Sequence, residues 1–239
     1  MVIKAIFYDL DDTLHDHLLP FSNALKETLP MYYGQVDVTS LYKKFRHFSD
    51  ILWKSYSANE LTLVDLRIKR IVLALDSFKI SITKKQASEF QKQYELDLEN
   101  LQLFPEVPGM LEMLKNKGLT LGIITNGPVE HQSKKINSLG LTKYFNRDLI
   151  FISDEIGIAK PNPHLFEHVA QKTGFAPNEH LYIGDTWSND IEASSKAGWQ
   201  SIWYNHRNRL PETNHKPLTI INKLSSVLSV INEMDHKTF

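Results

Sequence analysis

The chain has 239 residues, 42% of them hydrophobic and 23% charged, with 10 Gly and 10 Pro, a composition that supports a buried core and excludes collagen-like, low-complexity and disordered classes. Its 27 Lys and Arg against 28 Asp and Glu leave a formal charge of −1, so no overall field gathers nucleic acid or an anionic membrane, and any anion must be captured locally. The absence of cysteine removes disulfides, thiolate metal ligands and thiol nucleophiles together.

Val2 to Tyr8 is a short apolar, β-branched and aromatic run that stops at Asp9-Leu10-Asp11-Asp12, which predicts a buried strand with acids at its carboxyl end. The early acid argues against a signal peptide, and no run approaches the roughly 20 apolar residues of a membrane span. A soluble, cytoplasmic protein is expected. From Asp16 to Leu98 the chain is poor in strands, and Leu41, Phe45, Phe48, Leu52 and then Leu66, Ile68, Ile71, Val72, Leu75 recur at helical spacing. The stretch reads as an inserted helical bundle, giving expected domains of 1–15 with 99–239 for the core and 16–98 for a helical cap. Two lobes imply a cleft.

Beyond the insertion, strands are predicted at Leu119–Thr125, Leu149–Ser153, His180–Gly184 and Ser201–Tyr204, five in all with the first. Pro108, Pro128 and Pro163 suit first helical turns, and Gly118, Gly140, Gly174 and Gly198 suit helix C-caps, each followed by an apolar residue. Strands alternating with such helices predict an α/β fold: a doubly wound, Rossmann-like parallel sheet with ligands outside the carboxyl ends of its strands. Ile221, Leu224, Leu228 and Ile231 suggest a closing amphipathic helix, with a polar tail after Met234.

Four strand ends carry chemistry. Asp9 and Asp11 project the same way if the chain stays extended, and such a pair needs a cation, a shared proton or a division of roles. With oxygen ligands and no Cys, a hard ion such as Mg²⁺ suits them better than a soft one. After the second strand, Thr125-Asn126-Gly127-Pro128 offers a hydroxyl and backbone N–H groups at a helix start, suited to an anion. Lys160-Pro161-Asn162-Pro163 follows the third strand and holds Lys160 on a loop, because proline disfavours helix at the residue before it. Gly184-Asp185-Thr186-Trp187-Ser188-Asn189-Asp190 follows the fourth, with one carboxylate at the strand end and another just into the next helix.

In that order and at those positions, the motifs resemble the haloacid dehalogenase-like hydrolase superfamily, and within it the phosphatase branch with a helical cap after the first strand. Ile123-Ile124-Thr125-Asn126-Gly127 and Glu155-Ile156-Gly157-Ile158-Ala159-Lys160-Pro161 look most like nucleotidase and sugar-phosphate phosphatase members. The resemblance implies a Mg²⁺-dependent phosphomonoester hydrolase. Asp9 would be the nucleophile that forms an aspartyl-phosphate, and Asp11 the acid–base. Mg²⁺ would be held by the Asp9 carboxylate, the Asp11 backbone carbonyl and the Asp185 carboxylate. Thr125, the Asn126 amide and Lys160 would grip the transferring oxygens. Asp190 would support Lys160 or a metal-bound water, with Asn189 as a lesser support.

The expected partner is a small phosphorylated metabolite, a nucleotide or sugar phosphate, taken by a monomer or homodimer without nucleic acid or membrane. A phosphomutase would share every motif. A dehalogenase resembles members that lack an acid at the position of Asp11, and a non-catalytic binding protein would not need the full set of acids. Among the 10 histidines, His15/His17 and His164/His168 find no third ligand at matching spacing and are assigned to surface or interface roles, and His131 to solvent. His15 and His17 sit near the expected cap hinge. Phe45, Phe48, Trp53 and Tyr56 are assigned to the cap core rather than to a base-stacking platform, with a cleft-lining place the alternative for Trp53 and Tyr56.

Overall fold

The first strand, β1 (Ala5–Tyr8), is buried along its whole length, as an apolar run without alternation demands when both sheet faces are covered. The computed structural model describes residues 2–236. The chain forms two compact units, one running up to Asp16 and again from Gln102 onward, the other His17–Leu101.

The second unit contains four helices: α1 (Leu19–Thr28), α2 (Val38–Ser57), α3 (Leu63–Asp76) and α4 (Lys84–Glu99). Thr62 caps α3 through the Asp65 N–H, and Thr83 with Gln86 closes a reciprocal capping box on α4. The helices enclose an aromatic core in which the Phe45 ring lies 5.0 Å from Phe21, 6.1 Å from Phe90 and 5.5 Å from Tyr94, with Leu41, Ile71 and Leu75 around it. Phe48 packs against this cluster. Trp53 does not: it is 52% exposed and meets Tyr56 at 5.0 Å, since on a helix of 20 residues only one stripe faces the core.

The first unit resumes with α5 (Val107–Asn116), β2 (Thr120–Thr125), α6 (Val129–Ser138), β3 (Ile150–Ile152), the short α7 (Ser153–Ile156) and α8 (His164–Thr173). It continues with β4 (His180–Gly184), a π-helical turn at Trp187–Glu192, α9 (Ala193–Lys196), β5 (Gln200–Tyr204), β6 (Thr219–Ile221) and α10 (Ser226–His236). The strands form one six-stranded sheet in the order β3-β2-β1-β4-β5-β6, and every pair is parallel. The fold is therefore a doubly wound, Rossmann-like α/β sheet flanked by helices. Phe7, Ile124, Phe151, Phe166, Tyr182 and Trp199 belong to one core cluster. A side chain at Gly122 would collide with the Phe7 ring, so the aromatic core depends on that bare position.

Two boundaries differ from expectation. The sheet has a sixth strand, and Ile221 belongs to it rather than to the closing helix, which starts at Ser226. Three residues pairing at an edge, Ile202 with Thr219 through Tyr204 with Ile221, are too short a run to separate from an adjacent amphipathic pattern. The end of the expected tail, 237–239, lies outside the described residues. Among the described residues no helix is long and apolar enough to cross a membrane.

Candidate active site

The order of the strands reverses beside β1: the chain leaves β1 for β2 and β3 on one side and returns to β4 and β5 on the other. Crevices at such reversals, outside the carboxyl ends, are where open α/β sheets bind ligands. Tyr8 is level with Ile123 of β2 and Ile183 of β4, so Asp9, Thr125 and Asp185 emerge at one end of three adjacent strands. The Asp9 N–H still donates to the Ile183 carbonyl at 2.9 Å, which anchors the residue as an extension of the sheet.

Asp9, Asp185 and Asp190 are buried, and one oxygen of each lies within 4.8 Å of the others. Lys160 Nζ enters this acidic group and donates to Asp9 Oδ1 at 2.7 Å, Asp190 Oδ1 at 2.7 Å and Tyr182 OH at 2.8 Å. These contacts match its three N–H donors. The Tyr182 hydroxyl donates to the Ile124 carbonyl at 2.9 Å, which turns its lone pairs toward the lysine. Thr13 Oγ1 donates to Asp9 Oδ2 at 3.3 Å. Asp185 Oδ2 accepts from Arg209 Nη1 at 2.7 Å, and Trp203 Nε1 donates to the Asp185 carbonyl at 2.9 Å.

Asp190 lies back against the strand end on a π-helical turn that opens directly after Thr186, a wider local form that often occurs at functional positions. Its Oδ2 accepts the Thr186 N–H at 2.8 Å. The carboxylate lies so close over Gly184 that any Cβ there would overlap it. Asn189 lies on the same turn, half-buried.

Burial dominates the electrostatics of this group. It pushes Asp9 up to about 8, against Lys160 and with the help of Asp190 and Asp185. Burial, then Asp190 and Asp12, push Asp185 up to about 7 against Arg209. Burial works against the Lys160 ammonium, but the Asp190 and Asp9 carboxylates hold its pKa well above the usual lysine range. Asp9 and Asp185 thus take up protons readily although Lys160 and Arg209 stand beside them, the condition in which a bound cation can take the place of a proton.

Thr125 is buried, and its hydroxyl accepts from Gln132 Nε2. The Asn126 side chain is fully engaged with the Lys160 main chain: Nδ2 donates to the Lys160 carbonyl at 2.8 Å, and Oδ1 accepts the Lys160 N–H at 2.9 Å. This reciprocal pair ties the loop after β2 to the lysine loop. Asn162 Oδ1 accepts the His164 N–H at 3.1 Å where α8 begins.

The Asp11 carboxylate faces other partners. Both of its oxygens accept from Lys135 Nζ, at 2.7 and 2.6 Å, Oδ2 accepts from Gln132 Nε2 at 3.2 Å, and His15 Nε2 donates to Oδ1 at 2.9 Å. The backbone turns into the left-handed region at Asp12 (φ 62°), directly after Asp11. Asp12 instead pairs with Arg207 Nη2 at 2.7 Å.

Sequence reasoning missed Lys135, Gln132, Tyr182, Arg207 and Arg209. The spacing of Gln132 and Lys135, three apart on the helix opening after Thr125, was a usable signal. The two arginines lie in an irregular segment after β5 and carried none. His15, assigned to a surface or interface role, is instead wholly buried, because its ring serves Asp11. His164 pairs with Glu167 at 2.7 Å while His168 sets its ring against Phe151 at 6.2 Å, so the two rings serve different neighbours. His131 is exposed.

A model of the haloacid dehalogenase-like hydrolase family matches residues 6–204. The glyceraldehyde 3-phosphate phosphatase of Methanopyrus kandleri is 28% identical over 203 residues, covering 84% of this chain and 83% of that protein. The pyrimidine 5′-nucleotidase PynA of Streptococcus pneumoniae is 26% identical over 238 residues, covering 98% and 97%. Among solved structures, the 2-haloacid dehalogenase of Pseudomonas syringae pv. Tomato DC3000 superposes with a TM-score of 0.60 at 27% identity, over 98% of this chain and 100% of that one. With the match running from the first strand to the end of the fifth, the chain belongs to the haloacid dehalogenase-like hydrolases.

Proposed function

We propose that the protein is a phosphomonoester hydrolase of small phosphorylated metabolites, with Asp9 as nucleophile, Asp11 as acid–base and Mg²⁺ as cofactor. The observation that carries this reading is the Asp9 carboxylate at a strand end, flanked by Lys160 and by the Asp185 and Asp190 carboxylates. The names of the two sequence relatives, a sugar-phosphate phosphatase and a nucleotidase, support the same class.

The residues fit a hard divalent cation: three buried carboxylates with oxygens within 4.8 Å of one another and no sulfur ligand. The Asp9 and Asp185 carboxylates, with the Asp11 carbonyl, would hold it. When bound, Mg²⁺ supplies the charge that lets an anionic carboxylate meet an anionic phosphate.

The chain's own groups do the rest. An Asp9 oxygen forms a bond to phosphorus while the bond to the leaving oxygen breaks, and that oxygen takes a proton from Asp11. Water then attacks the aspartyl-phosphate and gives its proton to Asp11. The bond between Asp9 and phosphorus breaks, releasing phosphate and the free carboxylate. Lys160 and Thr125, with backbone N–H groups after β2, bind the equatorial oxygens, on which charge is spread in the transition state. Asp190 and Tyr182 keep the Lys160 ammonium aimed. In this reading the helical unit serves as the cap that selects the substrate.

A carbon–halogen reaction is the chemistry named for the structural neighbour. The acid at Asp11, which the phosphoryl reaction requires, favours the phosphatase. The test is phosphate release from a panel of nucleotides and sugar phosphates with Mg²⁺, with EDTA, and with Asp9→Asn. Metal-dependent release abolished in the variant supports the proposal, and the preferred substrate refines it. Halide release from 2-haloacids with an inert phosphate panel would overturn it.

A further inference from the structure

Two side chains of one helix reach the Asp11 carboxylate. Gln132 and Lys135 are three apart on α6, so they share a face, and both reach the same carboxylate. Lys135 places its ammonium across both oxygens, the side chain is only 14% exposed, and among the described residues that ammonium bonds to no other side chain. Gln132 Nε2 also reaches Thr125 Oγ1 and the Asn126 carbonyl, the latter at 3.0 Å. One amide therefore links the acid–base candidate to the loop that would hold phosphate.

We propose that Lys135, with Gln132 beside it, is a positioning residue for the proton-transfer steps at Asp11. The inference rests on the reading of Asp11 as the acid–base. A free aspartate explores several rotamers; the Lys135 ammonium across both oxygens, with Gln132 and His15 beside it, holds it in one orientation. A helix holds such donors more rigidly than a loop does. Both proton transfers pass through this carboxylate, so both need it aimed at the reacting oxygen. With a leaving group that needs no proton, only the hydrolysis of the aspartyl-phosphate depends on that aim.

The experiment follows 4-nitrophenyl phosphate, whose leaving group departs without a proton, in the full-length enzyme with Mg²⁺. Steady-state kinetics and acid-quenched phosphoenzyme are measured for wild type, Lys135→Met, Lys135→Arg and Asp11→Asn, with circular dichroism as the check on folding. In Lys135→Met, kcat falls about 10-fold to 100-fold, KM falls with it because kcat/KM reports only the phosphorylation step, and the fraction of enzyme trapped as phosphoenzyme rises. Lys135→Arg, which keeps a cation able to span two oxygens, brings all three most of the way back. Asp11→Asn accumulates phosphoenzyme more strongly still.

Wild-type turnover and wild-type phosphoenzyme in a folded Lys135→Met overturn the proposal, as does a fall in kcat with no accumulation while Asp11→Asn does accumulate. Accumulation in neither variant overturns the acid–base reading of Asp11 itself and the role of Lys135 with it.

Discussion

At the scale of single residues, the site depends on charges held out of water. Asp9 and Asp185 have pKa values pushed up to about 8 and about 7, so the folded, metal-free protein binds protons that the unfolded chain releases near pH 4. Their contribution to stability is present in full below that point and is lost as pH rises through about 7 to 8. The thermal midpoint in EDTA is accordingly expected to fall between pH 5 and 8.5, more steeply in the wild type than in Asp185→Asn. Mg²⁺ removes the slope by taking the place of the protons. A parallel slope in the two proteins would count against the buried-carboxylate account. Gly184 gives a second prediction. Because a Cβ there would overlap the Asp190 carboxylate, Gly184→Ala displaces Asp190 and frees Lys160, at a cost of about 1–3 kcal/mol and with a large loss of turnover. Denaturant unfolding and steady-state assay together check it.

Elements differ in how openly the sequence announced them. β1, β2, β4 and β5 end in polar residues after unbroken apolar runs, so the strand ends bearing Asp9, Thr125 and Asp185 were legible at once. β6 was not, because three residues at an edge carry too little pattern. The π-helical turn was equally hidden: it is a distortion of an ordinary helical periodicity, set by Asp190 bonding back to Thr186. For the same reason Asp190 was expected as a support, while its membership of the carboxylate group emerged only in three dimensions. The contacts of Asp11 with α6 are separated by more than a hundred positions, a distance no local pattern spans. In the helical unit, Phe45 is in contact with four other aromatic rings and wholly buried. Phe45→Ala is predicted to destabilise the protein by about 3–5 kcal/mol, read as a lowered denaturant midpoint.

For the molecule as a whole, the division into two units makes ligand effects separable. Asp9, Asp11, Thr125, Lys160, Asp185 and Asp190 all belong to the first unit. Binding of Mg²⁺ stabilises the state that binds it, so amide hydrogen exchange should slow in β1, β2, β4 and the turn at Trp187–Glu192. The amides of α1 to α4 should exchange as before when the cation alone is added. Protection spreading equally through α1 to α4 would show that the units respond as one body.

Asp9 and Lys160 meet at 2.7 Å although 151 positions separate them. During synthesis Asp9 is made first, and the whole helical unit follows before Lys160 exists. At about 5–20 residues per second, roughly 8–30 s pass between the two on the ribosome. Throughout that interval the nascent polypeptide carries an aspartate that no lysine orients, so the proposed phosphoryl transfer begins only after the late strands of the sheet have been translated and docked.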